Sequence, residues 1–306
     1  MAGDPPVNDY FYPQQAPYLR PINVPGAWER LTSMKTARKR VTVALIDTGV
    51  RPDHPDLVGN FVEGYNVFDG GHDTHDRDGH GTEMAGVLGA TINNTLGIAG
   101  VMDLVDIMPI YSGKRPNQAA MRAAIDYVIN NKETKDIKLI LMAAAIKEIG
   151  PYLADKIKQA DQAGLLIIVT SGNEGKDITT EKRYPCALTQ QFDGVLCVGA
   201  TEQSEMKLAD FSNFASYVDI AAPGIELTTT GNVDDYDTMS GTSPASAIVA
   251  GVVAMLYSLT PSLSPGDVKK ILKDTSKKGL KDSTGKIALP FGRVDADKAV
   301  AKLIPR

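Results

Sequence analysis

Five short apolar runs recur along the chain, at Val41–Ile46, Val105–Ile110, Lys138–Met142, Leu165–Thr170 and Val195–Gly199. Between and around them lie longer stretches with helix-like spacing of apolar positions, among them His80–Ala90, Asn117–Asn131, Gly150–Ala163 and Ser243–Leu259. Alternation of strand-like and helix-like segments predicts βαβ units and an α/β fold, a mostly parallel sheet with helices on both faces. The stretch from Asp4 to Pro25 is rich in Pro and Tyr and predicts an extended N-terminal arm over residues 1–25. Residues 26–306 then form a single domain.

Chemistry-bearing residues fall at the ends of these elements. Asp47, in Asp47-Thr-Gly49, stands just past the first strand, and Asn173, in Ser171-Gly-Asn-Glu-Gly175, just past the fourth. Ligand sites of open α/β sheets lie at that edge. His80 opens one predicted helix and Ser243 another, so both project from helix N-termini toward the same edge. A serine hydroxyl is a poor nucleophile near neutral pH. An imidazole must take its proton, and a carboxylate must orient the imidazole. This chain supplies all three in the order Asp, His, Ser. Taken singly, each has a bland reading as turn residue, surface histidine or helix cap.

Together the blocks Asp47-Thr-Gly49, His80-Gly-Thr82, Ser171-Gly-Asn-Glu-Gly175 and Gly241-Thr-Ser243 resemble the four signature segments of the subtilisin-like serine proteases, in the same order. The resemblance runs from about Pro17 to Gly292-Arg-Val-Asp295. It implies a three-layer subtilisin-like domain and a serine endopeptidase. In that enzyme Ser243 attacks, His80 shuttles the proton, Asp47 orients the ring, and the Asn173 amide with the Ser243 N–H holds the oxyanion. By the same resemblance Ala143, Ala144 and Ala145 pair with substrate backbone, and Gly172 and Glu174 belong to the substrate site, Glu174 at the mouth of the primary pocket. Asp78 is expected near the groove, where it favours a basic residue just before the cleavage-site residue. The resemblance further implies a Ca²⁺ site held by Gln14, Asp56, Asn94 and the carbonyl oxygens of Ile92, Leu96 and Ile98, an all-oxygen shell of the kind Ca²⁺ takes.

Two departures from the family pattern stand out. Ala247 replaces a proline expected after the nucleophile, and Ala143-Ala144-Ala145 replaces Ser-Leu-Gly. They motivate a rival reading, a catalytically silent binding protein on the same fold. A narrow maturation protease is a second alternative. The acidic stretch Asp69–Asp78 suggests a further metal site through Asp73, Asp76 and Asp78, or zinc at His72 and His75; a solvated loop is the simpler expectation, because no cysteine or third histidine lies at ligand spacing.

A net charge of −5, with dispersed basic residues, argues against nucleic acid as a partner. The apolar stretch Ile248–Leu259 is short for a bilayer and reads as a buried helix, so no membrane partner is expected. Protein or peptide substrates, a monomer and an inhibitory propeptide, itself absent from this chain, are the expected associations. Cys186 and Cys197 either pair or remain buried thiols. Pairing is the favoured reading and suits a secretory or extracellular setting.

Overall fold

The computed structural model describes residues 7–34, 37–233 and 235–304. All five apolar runs form strands: β1 (Val41–Asp47), β3 (Val105–Tyr111), β4 (Ile137–Met142), β5 (Leu166–Thr170) and β6 (Val195–Thr201). Short strands β2 (Tyr65–Asn66) and β7 (Ile220–Pro223) complete a seven-stranded sheet of order β2-β3-β1-β4-β5-β6-β7. Every neighbouring pair in it is parallel. Strands β8 (Leu227–Thr230) and β9 (Tyr236–Met239) form a separate antiparallel ribbon.

The helices are α1 (Tyr12–Leu19), α2 (Val24–Thr32), α3 (His80–Gly89), α4 (Gln118–Asn131), α5 (Pro151–Gln162), α6 (Thr242–Leu259), α7 (Pro265–Thr275) and α8 (Ala296–Ala301). Strand β1 shows why its sequence is apolar at nearly every position. Val43 and Leu45 face one core with α1, α2, α3 and α6, while Ala44 and Ile46 face a second core with α4 and α5. A strand buried on both faces cannot alternate apolar with polar. The sheet is thus covered on both sides, as the α/β pattern predicts.

Helix α6 fills the first core. Its 18 residues are long and apolar enough to cross a membrane, yet 89% of that window is buried within the protein. Helices apolar all round are core helices when so enclosed. A Cβ on Gly251 would stand 2.5 Å from Val101 Cβ, so the glycine permits the close approach of α6 to the 101 segment.

The expected extended arm is corrected by the structure. Residues 1–6 lie outside the described residues, but Tyr12–Leu19 and Val24–Thr32 are helical, and the boundary expected after residue 25 falls inside α2. Pro13 and Pro25 sit in the first turns of α1 and α2, where no N–H is required, while Pro17 lies inside α1 and Pro21 in the 3-10 turn Arg20–Ile22 between the two helices. Tyr18, Leu19 and Ile22 are buried in the first core, and Trp28 donates Nε1 to Val101 O at 2.8 Å.

Chain order places the crevice. After β1 the chain adds β3 on one side and β4 on the other, so the strand order reverses between β1 and β4, whose C-terminal ends lie side by side. Such a switch point opens a cleft between diverging loops.

Candidate active site

Asp47 ends β1 and is 8% exposed. Its Oδ1 accepts hydrogen bonds from the Thr48 N–H and from His80 Nδ1, both at 2.7 Å. A ring held this way at Nδ1 leaves Nε2 as the nitrogen for proton transfer. Burial opposes a charge on His80, but Asp47's negative charge and hydrogen bond, aided by Glu83 and Asp76, outweigh it and raise the pKa to about 9.

His80 can approach Asp47 because its neighbours are glycines. A Cβ on Gly81 would lie 2.0 Å from Gly49 O, and Gly79 has φ +117°, a left-handed value that favours glycine. Helix α3 has no side-chain cap from Gly79. Asp76 supplies one instead. Its Oδ1 accepts from Thr48 Oγ1, Asp78 N and Gly79 N at 2.9, 3.0 and 2.9 Å, and its Oδ2 from Thr82 N and Oγ1 at 2.9 and 2.6 Å. Thr48 Oγ1 in turn accepts from Gly81 N at 2.9 Å. One buried carboxylate therefore ties the end of β1 to the first turn of α3, and its charge sits favourably at a helix N-terminus.

Ser243 is the second residue of α6 and is half-buried. Pro244 follows within the first turn, where its missing N–H costs nothing, and the departure at Ala247 is a fully buried core contact of α6. Asn173 lies just beyond β5. Its Oδ1 accepts from Thr242 N at 2.9 Å and Thr242 Oγ1 at 2.8 Å, which fixes the amide plane. The point where a Cβ on Gly241 would stand lies 3.4 Å from Asn173 Nδ2 and 3.7 Å from Ser243 N, so these two donors border one small space. Donors fixed in this manner can stabilise an oxyanion without reorganising. Asp47 ends β1 and Asn173 follows β5 in the same parallel sheet, and their hydrogen bonds to His80 and to Thr242 bring the N-termini of α3 and α6, with His80 and Ser243, to that edge. Among the described residues no hydrogen bond joins Ser243 to His80, a contact that in such sites commonly tightens only with substrate bound.

A groove of about 240 Å³ runs past Asp47 and His80, walled by Asp78, Lys114, Ala143 and Ala144. Asp78 was expected to attract a basic substrate residue. In the structure it pairs with the exposed Lys114, Nζ at 2.5 Å, a cation that a basic substrate residue would have to displace. Ala143, Ala144 and Ala145 are half-buried along the groove edge. Glu174 accepts from Arg183 Nε at 3.1 Å and from Asn213 Nδ2. Burial works against its charge, but these two hydrogen bonds outweigh that and lower its pKa. Gly172 faces Ala145, whose Cβ is 3.6 Å from the position a Gly172 Cβ would take.

The expected metal ligands divide. Asp56 is fully buried; its Oδ2 accepts from Ile98 N at 2.8 Å and its Oδ1 from Asn94 Nδ2 at 2.7 Å, while Asn94 Oδ1 accepts from Leu96 N at 2.8 Å. The turn from Asn94 to Ile98 therefore wraps Asp56. Ile92 packs its side chain against the core. Gln14 is corrected: it is exposed on α1, and its buried neighbour Gln15 brackets Ala99 through N–H and carbonyl at 2.8 and 2.9 Å. The N-terminal residue that reaches the loop is Asp9, 3% exposed, whose Oδ2 accepts from Asn93 N at 2.9 Å and whose buried Oδ1 has no partner. Desolvation raises the pKa of both Asp9 and Asp56, and the charge of Asp9 adds to the rise at Asp56. An orphaned carboxylate oxygen beside a second buried carboxylate fits a hard cation.

In the acidic stretch, Asp73 pairs with Arg77 at 3.1 Å and His72 Nδ1 contacts Gly64 O at 2.9 Å. Among the described residues no group of three or more His, Cys, Asp or Glu is placed to hold a metal. The solvated-loop expectation fails only at Asp76, which is buried. Its signal was in the sequence: an Asp shortly before a helix start is a capping residue. Arg183 and Asn213 gave no such signal, since only the fold brings them to Glu174. Cys186 and Cys197 form a disulfide with an S–S distance of 2.01 Å.

Comparison with known proteins accords with this geometry. The model of the subtilase family, Peptidase_S8, matches residues 38–292. Thermophilic serine proteinase of Bacillus sp. strain AK1 is 31% identical over 258 residues, covering 84% of this chain but 61% of that protein, so the chain spans under two thirds of its length. Thermitase of Thermoactinomyces vulgaris is 29% identical over 293 residues, 96% of this chain and 98% of thermitase. The solved structure of a protease from Pseudoalteromonas arctica PAMC 21717 superposes with a TM-score of 0.82 at 26% identity, over 97% of this chain and 99% of that one. Relatives include proteins named as extracellular and proteins named as intracellular. With the signature residues gathered at one sheet edge and the family match over most of its length, the chain belongs to the subtilase family of serine proteases.

Proposed function

We propose that this chain is an endopeptidase working through an acyl-enzyme on Ser243. The Ser243 hydroxyl oxygen bonds to the scissile carbonyl carbon as its proton passes to His80 Nε2. Asp47, hydrogen-bonded at Nδ1, keeps the ring oriented and balances the imidazolium. Asn173 Nδ2 and the Ser243 N–H receive the negative charge that develops on the carbonyl oxygen. The C–N bond then breaks, the amine leaves with the proton from His80, and water releases the acyl group by the reverse sequence. The observation that carries this reading is the 2.7 Å bond from His80 Nδ1 to Asp47 at the edge where Asn173 Nδ2 and Ser243 N converge.

Ala143–Ala145 would pair with an extended substrate through backbone groups, which the loss of larger side chains leaves intact. Asp9, Asp56, Asn94 and the carbonyl oxygens of Leu96 and Ile98 would hold Ca²⁺, whose role when bound is to tie the N-terminal segment to the loop after α3. The Cys186–Cys197 disulfide supports an oxidising, secretory setting. A monomer with a separately removed inhibitory propeptide completes the reading.

The test is pre-steady-state hydrolysis of an activated ester by the wild type and Ser243→Ala. A burst equal to the enzyme concentration is expected in the wild type and none in the variant. A full burst from folded Ser243→Ala would overturn the assignment.

A further inference from the structure

The residue preceding the scissile bond must place its side chain between two strand ends. Its carbonyl oxygen sits against Asn173 and its backbone runs along Ala143–Ala145, so the side chain enters between the segments that follow β4 and β5. A third segment closes this slot: Ile146 and Tyr184 exchange N–H to O bonds, both at 2.8 Å, which lays Arg183 alongside the continuation of Ala143–Ala145.

Ala145 and Gly172 contribute almost nothing to filling the slot. Glu174 fills it instead, its Oε2 lying 2.7 Å from where a Gly172 Cβ would stand. The carboxylate is not free to swing away. Oε1 accepts from Arg183 Nε at 3.1 Å, Oε2 accepts from Asn213 Nδ2, and the Arg183 side chain is only 5% exposed. Arg183 Nη1 is held in turn by Glu181 O and Lys182 O at 3.1 and 3.4 Å. Moving the pair would strand a buried guanidinium, which is costly.

We infer that Glu174, exposed itself but anchored by the buried Arg183 guanidinium, closes the primary substrate slot and restricts the protease to peptides with a short, uncharged side chain before the scissile bond, of the size of Ala or Ser. Long apolar side chains have no depth to occupy. A basic side chain finds Glu174 already satisfied on both oxygens, and an acidic one meets its charge. Arg183 acts through Glu174 and is a positioning residue for specificity.

This inference rests on the proposed endopeptidase reading, and the experiment separates the two. Active-site titration with an activated ester first counts acylating enzyme; a folded protein that never acylates overturns both. With titrated enzyme, kcat/KM is measured for otherwise identical peptides carrying Ala, Phe, Lys or Glu before the scissile bond. Ala should exceed each of the others by tenfold or more, since even one misplaced methylene in a pocket is worth roughly 10-fold or more. In Arg183→Ala the slot deepens and Glu174 is released. The Lys peptide should gain about tenfold or more and the Phe peptide less, while the Ala peptide changes little. Loss of packing alone would lower all four together. Wild-type enzyme that cleaves the Phe or Lys peptide as well as the Ala peptide overturns the inference, even if Arg183→Ala does not fold. So does a folded Arg183→Ala whose Lys-to-Ala and Phe-to-Ala ratios of kcat/KM are those of the wild type.

Discussion

Replacing Asp76 by Asn keeps the shape of the side chain and removes its charge. Five donors converge on the carboxylate, and two of them, Thr82 N and Thr82 Oγ1, approach Oδ2 at 2.9 and 2.6 Å. An amide nitrogen at that position cannot accept. The Thr82 hydroxyl can turn to accept from it, but the buried Thr82 N–H is left facing a donor. Loss of one charge-assisted bond with a donor left unpaired costs about 3 kcal/mol. For a chain of this length that is a fall in Tm of about 5 °C. The measurement belongs on the Ser243→Ala background, where self-cleavage cannot distort the transition. A second readout separates positioning from bulk stability. Asp76 contributes to the raised pKa of His80, so in the active enzyme Asp76→Asn should move the acid limb of kcat/KM to lower pH. An unchanged Tm together with an unmoved limb would refute the role assigned to Asp76.

Four further outcomes follow from the same geometry. Asn173→Ala should lower kcat by roughly 100- to 1000-fold with KM little changed, a magnitude known for this donor in subtilisin rather than worked from these distances; stopped-assay kinetics will check it. Because His80 must be neutral to accept a proton and its pKa stands at about 9, kcat/KM should climb about tenfold per pH unit below that value and level off above it. The stability that charged His80 lends the fold has the opposite sense: its pKa is raised, so the contribution is full below pH 6.5 and is lost as pH rises through about 9, as thermal melts of Ser243→Ala across that range will show. Calcium chelation should lower Tm of the wild type, and Asp9→Asn, which removes the orphaned oxygen's charge, should lower calorimetric Ca²⁺ affinity about tenfold or more, whereas Gln14→Ala should leave it unchanged.

The elements legible in the sequence were those governed by local pattern. Apolar runs buried on both faces announced five strands, and Asn117 was readable as the start of α4 because its side chain caps Ala119 and Ala120. The proline-rich start misled because proline's preference for extended chain and its tolerance at a helix first turn look alike in sequence. The burial of Tyr18 and Trp28 decided between them, and burial is a property of the whole fold. Strands β7, β8 and β9 are only four residues long and their sequences carry no strong period. Helix α7 was readable in hindsight from Ser264 and Asp267, which form a reciprocal capping box.

The site divides along the same line. Asp47, His80, Asn173 and Ser243 were legible as candidates because each sits in a short glycine-containing segment, and at Gly49, Gly81 and Gly175 close backbone approach requires the glycine. What surrounds them was not. Asp9 reaches the Asn93 turn across 84 positions of sequence, Lys114 reaches Asp78, and Arg183 with Asn213 reaches Glu174, through contacts set by tertiary packing alone. Those partners change the charge each expected residue presents to a ligand. The proposal on substrate preference therefore rests on the structure, whereas the reaction class was legible in the signature segments.

The most direct test of the account is covalent labelling by a fluorophosphonate, located by peptide mass spectrometry. Phosphonylation is expected on Ser243 alone, rising with pH toward about 9 as His80 loses its proton, and abolished in Ser243→Ala and strongly slowed in His80→Ala. Labelling at another serine, or undiminished labelling of Ser243 in folded His80→Ala, would contradict it.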